Sequence, residues 1–226
     1  MDNLFGDLRL GGRRRTRGSA FQAATEYTAR WGWTVAAGAG RTAADGRCGC
    51  GAVHCAAPGL HDEVSPHVTA APGGGLGPHA ASLRELWSMG SPLLLLPGRT
   101  FDVLDVPAQP GLQALVRLER MGTQLGPVLA PPTGRLLFFT APGTAARLPE
   151  LLYRMGWDDA ALDLACHGEG TYLAAPPTAL GPLGPTRWLR RPTRESAATP
   201  PEARLLLGTL AYTCHRGRER APELAS

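Results

Sequence analysis

Two short apolar runs follow each other near the middle of the chain, and they constrain the fold more than any other feature. The runs are PLLLLP at residues 92–97 and FDVLDV at residues 101–106. Apolar runs of this length, bounded by proline and glycine, are typical of buried strands. The sequence therefore predicts that the centre of the fold is built from β-strands in this segment.

Helical and extended patterns alternate on both sides of these two runs. Capping boxes at Ser19 with Gln22 and at Ser82 with Glu85 predict the starts of two helices. Further helices are predicted over 110–122, 144–156 and 200–216, and further strands over 33–37, 126–130, 135–140, 162–166, 171–176 and 187–192. Strands in mostly antiparallel order with helices between them predict an α+β domain.

The composition along the chain suggests three regions. Residues 1–18 are polar and rich in Gly and Arg, and we expect them to form a flexible arm. A main domain is expected over 19–195, interrupted by a Gly-, Cys- and His-rich insertion at 46–67. A C-terminal helix and tail are expected over 196–226.

Composition and charge exclude some classes of function. No run of eighteen apolar residues is present, so we expect no membrane-spanning segment. The RRRTR motif at 13–17 lacks the apolar segment of an export signal, which favours a cytoplasmic protein. The net charge is +4, and all 23 basic residues are arginine. This excess permits a polyanionic partner but is too small to indicate nucleic acid by itself.

A dense group of metal-ligand residues lies in the insertion, in CGCGAVHCAAPGLH at 48–61. Zinc prefers four thiolate or imidazole ligands in a tetrahedron, and a Gly-rich segment lets the backbone wrap around them. The expected ligands are Cys48, Cys50, Cys55 and His61, with His54 and His67 as substitutes. The alternative is a reduced cysteine loop or a disulfide, which a cytoplasmic location disfavours. The spacing predicts a structural zinc knuckle.

The best local basic patch is RWLRRPTR at 187–194. It is a candidate surface for a polyanion. The alternative is a solvated edge strand, because charged side chains protect strand edges against aggregation. We favour the alternative slightly.

Several blocks resemble the N-terminal domain of bifunctional DNA primase/polymerases, in the archaeo-eukaryotic primase superfamily of plasmids, phages and actinobacterial chromosomes. The resemblance runs over residues 20–192. Its most specific parts are the cysteine block and GEGTYLAAPPT at 168–178, and FDVLDVPAQPG and GRLLFF are further parts.

The resemblance implies a two-lobed α+β fold with a mostly antiparallel sheet. It also implies three carboxylates that hold Mg²⁺ or Mn²⁺ for nucleotidyl transfer, a histidine that contacts the triphosphate, and a structural Zn²⁺. The implied partners are DNA and a nucleoside triphosphate, with protein partners for unwinding.

This chain matches the family's pattern only in part. Asp105 matches the first carboxylate and Asp163 the third, but the second falls on Pro107 and the histidine on Leu136. Asp102 is no substitute, because on a regular strand an offset of three places it on the opposite face from Asp105. The candidate nucleotide-binding residues are Arg99 and Arg135.

Two functions follow from this pattern. The first is a primase/polymerase-like nucleotidyltransferase with weak or lost activity that uses Asp105 and Asp163. The alternative is a non-catalytic module on the same fold that binds nucleotide, nucleic acid or protein. In that case the two aspartates are structural, either capping strand ends or pairing with Arg99 or Arg135.

Overall fold

The structure is a computed structural model that describes residues 12–42, 46–62, 66–69, 76–157 and 161–220. The helices are α1 (Gly12–Trp31), α2 (Ala80–Met89), α3 (Ala108–Arg120), α4 (Thr144–Arg154), α5 (Arg194–Ala198) and α6 (Arg204–Arg220). The strands are β1 (Thr34–Ala37), β2 (Leu93–Leu96), β3 (Asp102–Pro107), β4 (Val128–Ala130), β5 (Arg135–Thr140), β6 (Ala165–His167), β7 (Leu173–Ala174) and β8 (Arg187–Arg190). Short 3₁₀ helices cover Gly77–His79 and Gly181–Leu183.

The strands form two antiparallel sheets, which confirms the predicted α+β class. One sheet has the order β1-β2-β7, and the other has the order β6-β3-β5-β4-β8. The two apolar runs of the sequence are the central strand β2 of the first sheet and the inner strand β3 of the second. They do not pair with each other, because the chain crosses from one sheet to the other between them.

Each strand of the larger sheet presents alternate residues to its two faces. Asp105 is paired with Leu137 on β5 and with Ala165 on β6, so these three residues share one face. Leu136 is paired with Val106, and this pair lies on the other face.

The helix-covered face of the larger sheet carries one of two cores. Residues of α3 and α6 pack there against the sheet, and the central members of this core are Leu104, Val106, Leu118, Phe138, Leu206 and Leu210. Spacings of three and four between the buried residues of α3 and α6 explain why these segments fold as amphipathic helices.

The opposite face packs against the smaller sheet through a cluster of aromatic rings. Trp33 is completely buried, and its ring lies 5.1 Å from that of Phe101 and 5.3 Å from that of Phe139, measured between centroids. Trp31 and Trp188 complete the cluster. These tryptophans therefore belong to the core and its rim.

Several predicted segment boundaries differ from the observed ones, and three of the differences change the description of the chain. Helix α1 begins at Gly12 rather than at Ser19, so residues 12–18 of the expected arm are helical, while residues 1–11 lie outside the described part. Helix α2 begins at Ala80 rather than at Ser82, because it continues directly from a 3₁₀ helix. Strand β6 covers Ala165–His167 rather than 162–166.

The insertion is also less separate from the core than its composition suggests. Val68 forms a two-way backbone bridge with Val35, with N···O distances of 3.0 and 2.9 Å, and its side chain is buried. The residue that directly follows the insertion is therefore paired with β1.

No helix in the described ranges is both long enough and apolar enough to cross a bilayer.

The aromatic cluster should contribute strongly to stability. We expect Trp33→Ala to lower the free energy of unfolding by about 3–5 kcal/mol, because it leaves a large cavity between the two sheets. Urea denaturation followed by circular dichroism measures this. Leu112→Ala is the control, since Leu112 is 45% exposed and should change the free energy by less than about 0.5 kcal/mol. A loss for Trp33→Ala as small as that for the control would contradict the assignment.

Candidate functional site

Asp105 lies in the middle of the inner strand β3, beyond the part of that face that the aromatic cluster covers. Its side chain is only 15% exposed. A carboxylate at this depth needs partners for its oxygens, because desolvation disfavours the charged form. The surrounding strands supply them.

Arg135 joins Asp105 to Asp163. Its Nε donates to Asp105 Oδ1 at 2.7 Å, and its Nη1 donates to Asp163 Oδ1 at 2.7 Å. Its Nη2 also donates to the backbone oxygen of Asp105 at 3.3 Å. The β3–β5 register explains this contact, since Arg135 is opposite Pro107, one same-face position beyond Asp105. The two aspartates that the sequence selects are therefore brought together, with a guanidinium between them.

His167 is the fourth member of this group. Its Nε2 lies 2.8 Å from Asp105 Oδ2, and the imidazole N–H donates to the carboxylate. His167 is paired with Val103 on β3 and so shares the face of Asp105. His167 is not among the predicted site residues, because the strand predicted over 162–166 ends before it. The period-two pattern from Ala165 to His167 was the signal that could have found it. We call Asp105, Arg135, Asp163 and His167 the carboxylate cluster.

The cluster fixes the charges of Asp105 and Arg135. Burial raises the pKa of Asp105, but hydrogen bonds from His167 and Arg135 and the positive charge of Arg135 outweigh it, so the pKa lies below its usual 3.8. Partial burial lowers the pKa of Arg135, but Asp105 and Asp163 together raise it above its ordinary value. The guanidinium therefore remains charged, and so does Asp105 at neutral pH.

Leu136 does not occupy a position in this site. It is 3% exposed and packs under α3 on the helix-covered face. The β5 residues that share the face of Asp105 are Arg135 and Leu137. The position that the resemblance gives to the family's histidine therefore lies on the helix-covered face in this chain, and neither Arg135 nor Leu137 on the face of Asp105 is a histidine. Pro107 follows Asp105 on that face and brings no carboxylate.

Arg99 and Asp102 lie away from the cluster. Arg99 precedes β3 by three residues, whereas Arg135 is paired with the last residue of that strand, so the two arginines are at opposite ends of it. Asp102 is 1% exposed on the helix-covered face, and its Oδ2 accepts from the backbone N–H of Ala145 at 2.8 Å. Asp102 thus stabilises the first turn of α4, as expected for a carboxylate at a helix N-terminus.

The carboxylate cluster does not fit a pair of divalent ions. The guanidinium of Arg135 lies between the two aspartates, and its charge would repel a cation placed beside it. Two-metal nucleotidyl transfer needs carboxylates that bridge two ions a few ångströms apart. Within the described ranges, the one group of three or more His, Cys, Asp or Glu ligand atoms close enough to share an ion lies elsewhere, in the cysteine block.

That group is made of Cys48, Cys50, Cys55 and His61. Their ligand atoms all lie within 4.8 Å of one another, and Cys48 Sγ is 3.2 Å from His61 Nε2. The expected substitutes are not part of the group. His67 is hydrogen-bonded to the carboxylate of Asp62. His54 lines a surface pocket together with Cys55.

Close backbone approach brings these four ligands together. The N–H of Gly49 donates to the oxygen of Gly40 at 2.9 Å, and the N–H of Ala39 donates to the oxygen of His61 at 2.8 Å. A Cβ on Gly49 would lie 2.2 Å from the oxygen of Ala39, so a glycine is required there. The Gly-rich composition therefore has a direct steric cause.

The donor set fits a zinc ion. Burial raises the pKa of Cys48, but hydrogen bonds from the backbone of Cys50 and Gly59 help to lower it to about 6, which favours the thiolate that binds metal. His61 Nδ1 lies 3.2 Å from the oxygen of Asp62, a contact that would turn Nε2 toward the ion. Four protein ligands leave no open position, so such an ion would be structural.

The basic patch lies on the edge strand β8 and the segment that follows it. Arg187, Arg190, Arg191 and Arg194 are all exposed, and Arg190 forms an ion pair with Glu119 at 3.5 Å. This arrangement agrees with a solvated sheet edge.

The carboxylate cluster should make stability depend on pH. A carboxyl with a depressed pKa adds stability above its unfolded value, and that stability is lost as the pH falls through the lower folded value. Wild-type protein should therefore lose more free energy of unfolding than Asp105→Asn between about pH 5 and pH 3. Urea denaturation at each pH measures the difference. Glu150→Gln, which changes an exposed carboxylate on α4, should behave as wild type. Equal pH dependence for wild type and Asp105→Asn would contradict the assignment.

The cysteine block should hold about one zinc per chain. We expect Cys50→Ser to lose this zinc and to speed amide hydrogen exchange over 46–62. Elemental analysis of protein purified without chelator measures the metal. Cys166→Ser is the matched control, since Cys166 lies on β6 outside the group. Wild-type protein without zinc would rule out the site.

The chain was compared with known proteins in three ways. A family model described as "Bifunctional DNA primase/polymerase, N-terminal" matches residues 24–203. Neither the comparison with curated proteins nor the comparison with solved structures finds a match. The family match covers most of the chain, including both sheets, the cysteine block and the carboxylate cluster. The chain therefore belongs to the family of bifunctional DNA primase/polymerase N-terminal domains.

Proposed function

We propose that this chain is a primase/polymerase domain in which templated nucleotide addition is lost or very weak. In this proposal the fold is retained as a module that binds nucleotide or nucleic acid. The observation that carries it is the position of Arg135, whose guanidinium contacts both Asp105 and Asp163 at 2.7 Å.

The charge balance of the site supports the proposal. Nucleotidyl transfer by two ions needs several carboxylates free to bind metal, so that the ions can bridge the attacking hydroxyl, the α-phosphate and the leaving pyrophosphate. Here Asp105 already accepts from Arg135 and His167, and Asp163 accepts from Arg135. The single arginine supplies a fixed positive charge where a divalent ion would otherwise be needed.

The residues next to Asp105 on the same face of the sheet also support the loss of a metal site. Pro107, the next same-face residue on β3, has no charge and no N–H. Leu137, which is directly opposite Asp105, is apolar and only 6% exposed. No side chain at these two positions can complete a metal site.

The direct test is primer extension with template, primer, nucleotides and Mn²⁺. We expect no product above the level given by Asp105→Ala, because Arg135 neutralises the carboxylates that would bind the ions. An active DNA polymerase in the same buffer is the positive control. Robust extension that Asp105→Ala abolishes would overturn the proposal.

A second test asks whether Arg135 takes the place of a metal. Zinc-loaded wild-type protein should bind Mn²⁺ no more tightly than its Asp105→Ala variant, as measured by electron paramagnetic resonance of free Mn²⁺. Arg135→Ala should bind Mn²⁺ about tenfold more tightly or better, because it frees two carboxylates. Arg154→Ala is the matched control, since Arg154 lies on α4 and pairs with Glu150. Equal Mn²⁺ affinity in wild type and Arg135→Ala would contradict this role.

A further inference from the structure

A concave site lies apart from the carboxylate cluster, beside the smaller sheet and the segments that connect it to the larger one. It is a pocket of about 270 Å³. The pocket is formed by the start of β1, the segment around residue 67, the end of β2 with the loop that follows it, and the turn between β6 and β7. Its principal lining residues are Thr34, His67, Leu96, Arg99, Glu169 and Tyr172. No member of the carboxylate cluster lines it, although His167 immediately precedes the turn that forms one wall.

Arg99 gives this pocket a cation that is available for a ligand. It is exposed, and it has no hydrogen-bond or ion-pair partner among the residues that the structure describes. Arg135, by contrast, is committed to two carboxylates. A guanidinium offers paired N–H donors that match the geometry of a phosphate group. The pocket is therefore suited to an anionic group at Arg99.

Two further polar groups of the pocket lack a partner in the described part of the chain. The Oγ1 atom of Thr34 is buried without a hydrogen bond, and Glu169 forms no ion pair there. A carboxylate beside a phosphate site accepts hydrogen bonds from hydroxyl groups, as from those of a ribose. It also repels additional negative charge. Glu169 thus favours a ligand with one phosphate and a neutral hydroxylated portion over a polyphosphate.

Two rings form the aromatic wall of the pocket. The rings of His67 and Tyr172 lie edge to face with centroids 6.2 Å apart. Asp62 is hydrogen-bonded to His67 Nε2, and its carboxylate lies close enough to Tyr172 to raise the pKa of that hydroxyl. Asp62 directly follows His61 of the cysteine block, so the knuckle positions this wall. A flat aromatic surface of this kind suits a nucleobase.

On the other side of the pocket, the backbone at Gly98 lies in close contact with Glu169. Gly98 has a φ of +105°, and a Cβ there would lie 2.6 Å from the Cα of Glu169. The loop before β3 therefore touches the turn after β6, which fixes Arg99 and Glu169 on neighbouring segments. The volume is slightly below the range of about 300–1,000 Å³ typical of small-molecule sites, which suits one nucleotide rather than a dinucleotide.

We propose that this pocket binds a single nucleoside monophosphate unit, with the phosphate at Arg99, the sugar at Glu169 and the base against Tyr172. The unit is either a free mononucleotide or the phosphorylated end of a strand. This inference rests on the proposed function, because it takes the chain to be a nucleotide- or nucleic-acid-binding module. It adds the class of ligand that the module binds.

Isothermal titration calorimetry with zinc-loaded protein tests the proposal without template or Mn²⁺, so it can fail independently of the extension assay. The probes are GMP, AMP, GTP, inorganic phosphate, and one short single strand with either a 5′-phosphate or a 5′-hydroxyl. We expect a mononucleotide or the 5′-phosphorylated strand to bind with a Kd below about 1 mM. Binding of the mononucleotide indicates a free ligand, and binding of the phosphorylated strand alone indicates a strand end.

Three variants test whether the nucleotide binds in this pocket. Arg99→Ala should weaken it about tenfold or more, because a charge-assisted hydrogen bond is lost. Arg154→Ala, an exposed arginine on α4, should leave it unchanged. Glu169→Gln should reduce the preference for GMP over GTP. Circular dichroism confirms that each variant is folded.

Four results would overturn the proposal. They are no binding of any nucleotide probe, equal affinity for inorganic phosphate and the best nucleotide probe, wild-type affinity in Arg99→Ala, and equal losses in Arg99→Ala and Arg154→Ala.

Discussion

The antiparallel pairing of β3 with β5 is the interaction on which both the core and the carboxylate cluster depend. Six consecutive residue pairs join these strands, from Asp102 with Thr140 to Pro107 with Arg135. Because the side-chain period of a strand is two, a slip of β3 by one residue would move Asp105 into the helix-covered core, and a slip of β5 would move Leu136 onto the open face. Burial of the apolar residues on both faces therefore fixes the register, and the register places Arg135 beside Asp105.

The features of the fold that the sequence predicts well are those with a local physical cause. Short apolar runs bounded by turn residues identified the strands of both sheets, since burial depends mainly on the residues of each run. The start of α1 was missed because GRRRTRG contains no apolar residue that could show a helical period. The separation of β2 and β3 into different sheets was likewise hidden, because pairing partners lie far apart in sequence. Strand β2 pairs with residues near 35 and 174, and β3 with residues near 137 and 166.

The cysteine block and the carboxylate cluster likewise differ in how far apart in sequence their residues lie. The ligands of the cysteine block lie within fourteen residues of one another, so their spacing alone was sufficient to select the group that the structure brings together. The carboxylate cluster draws on three strands and a preceding loop, and its hydrogen bonds join residues 28, 30 and 62 positions apart. The sequence selected Asp105 and Asp163 through the family resemblance and named Arg135 as one of two pairing partners. It did not find His167 or show that Leu136 lies on the helix-covered face, because those facts depend on the exact register of β5 and β6.

The guanidinium between the two aspartates also changes how this site relates to its surroundings. A metal ion is in exchange with solution, so a site that needs one responds to the supply of that ion and to chelating molecules. An arginine side chain is covalently attached and remains protonated at any physiological pH. Under the proposed function, the charge at the centre of this domain is therefore constant across conditions in which the charge of a metal-binding site would vary. The domain would then present the same surface whether divalent ions are scarce or abundant.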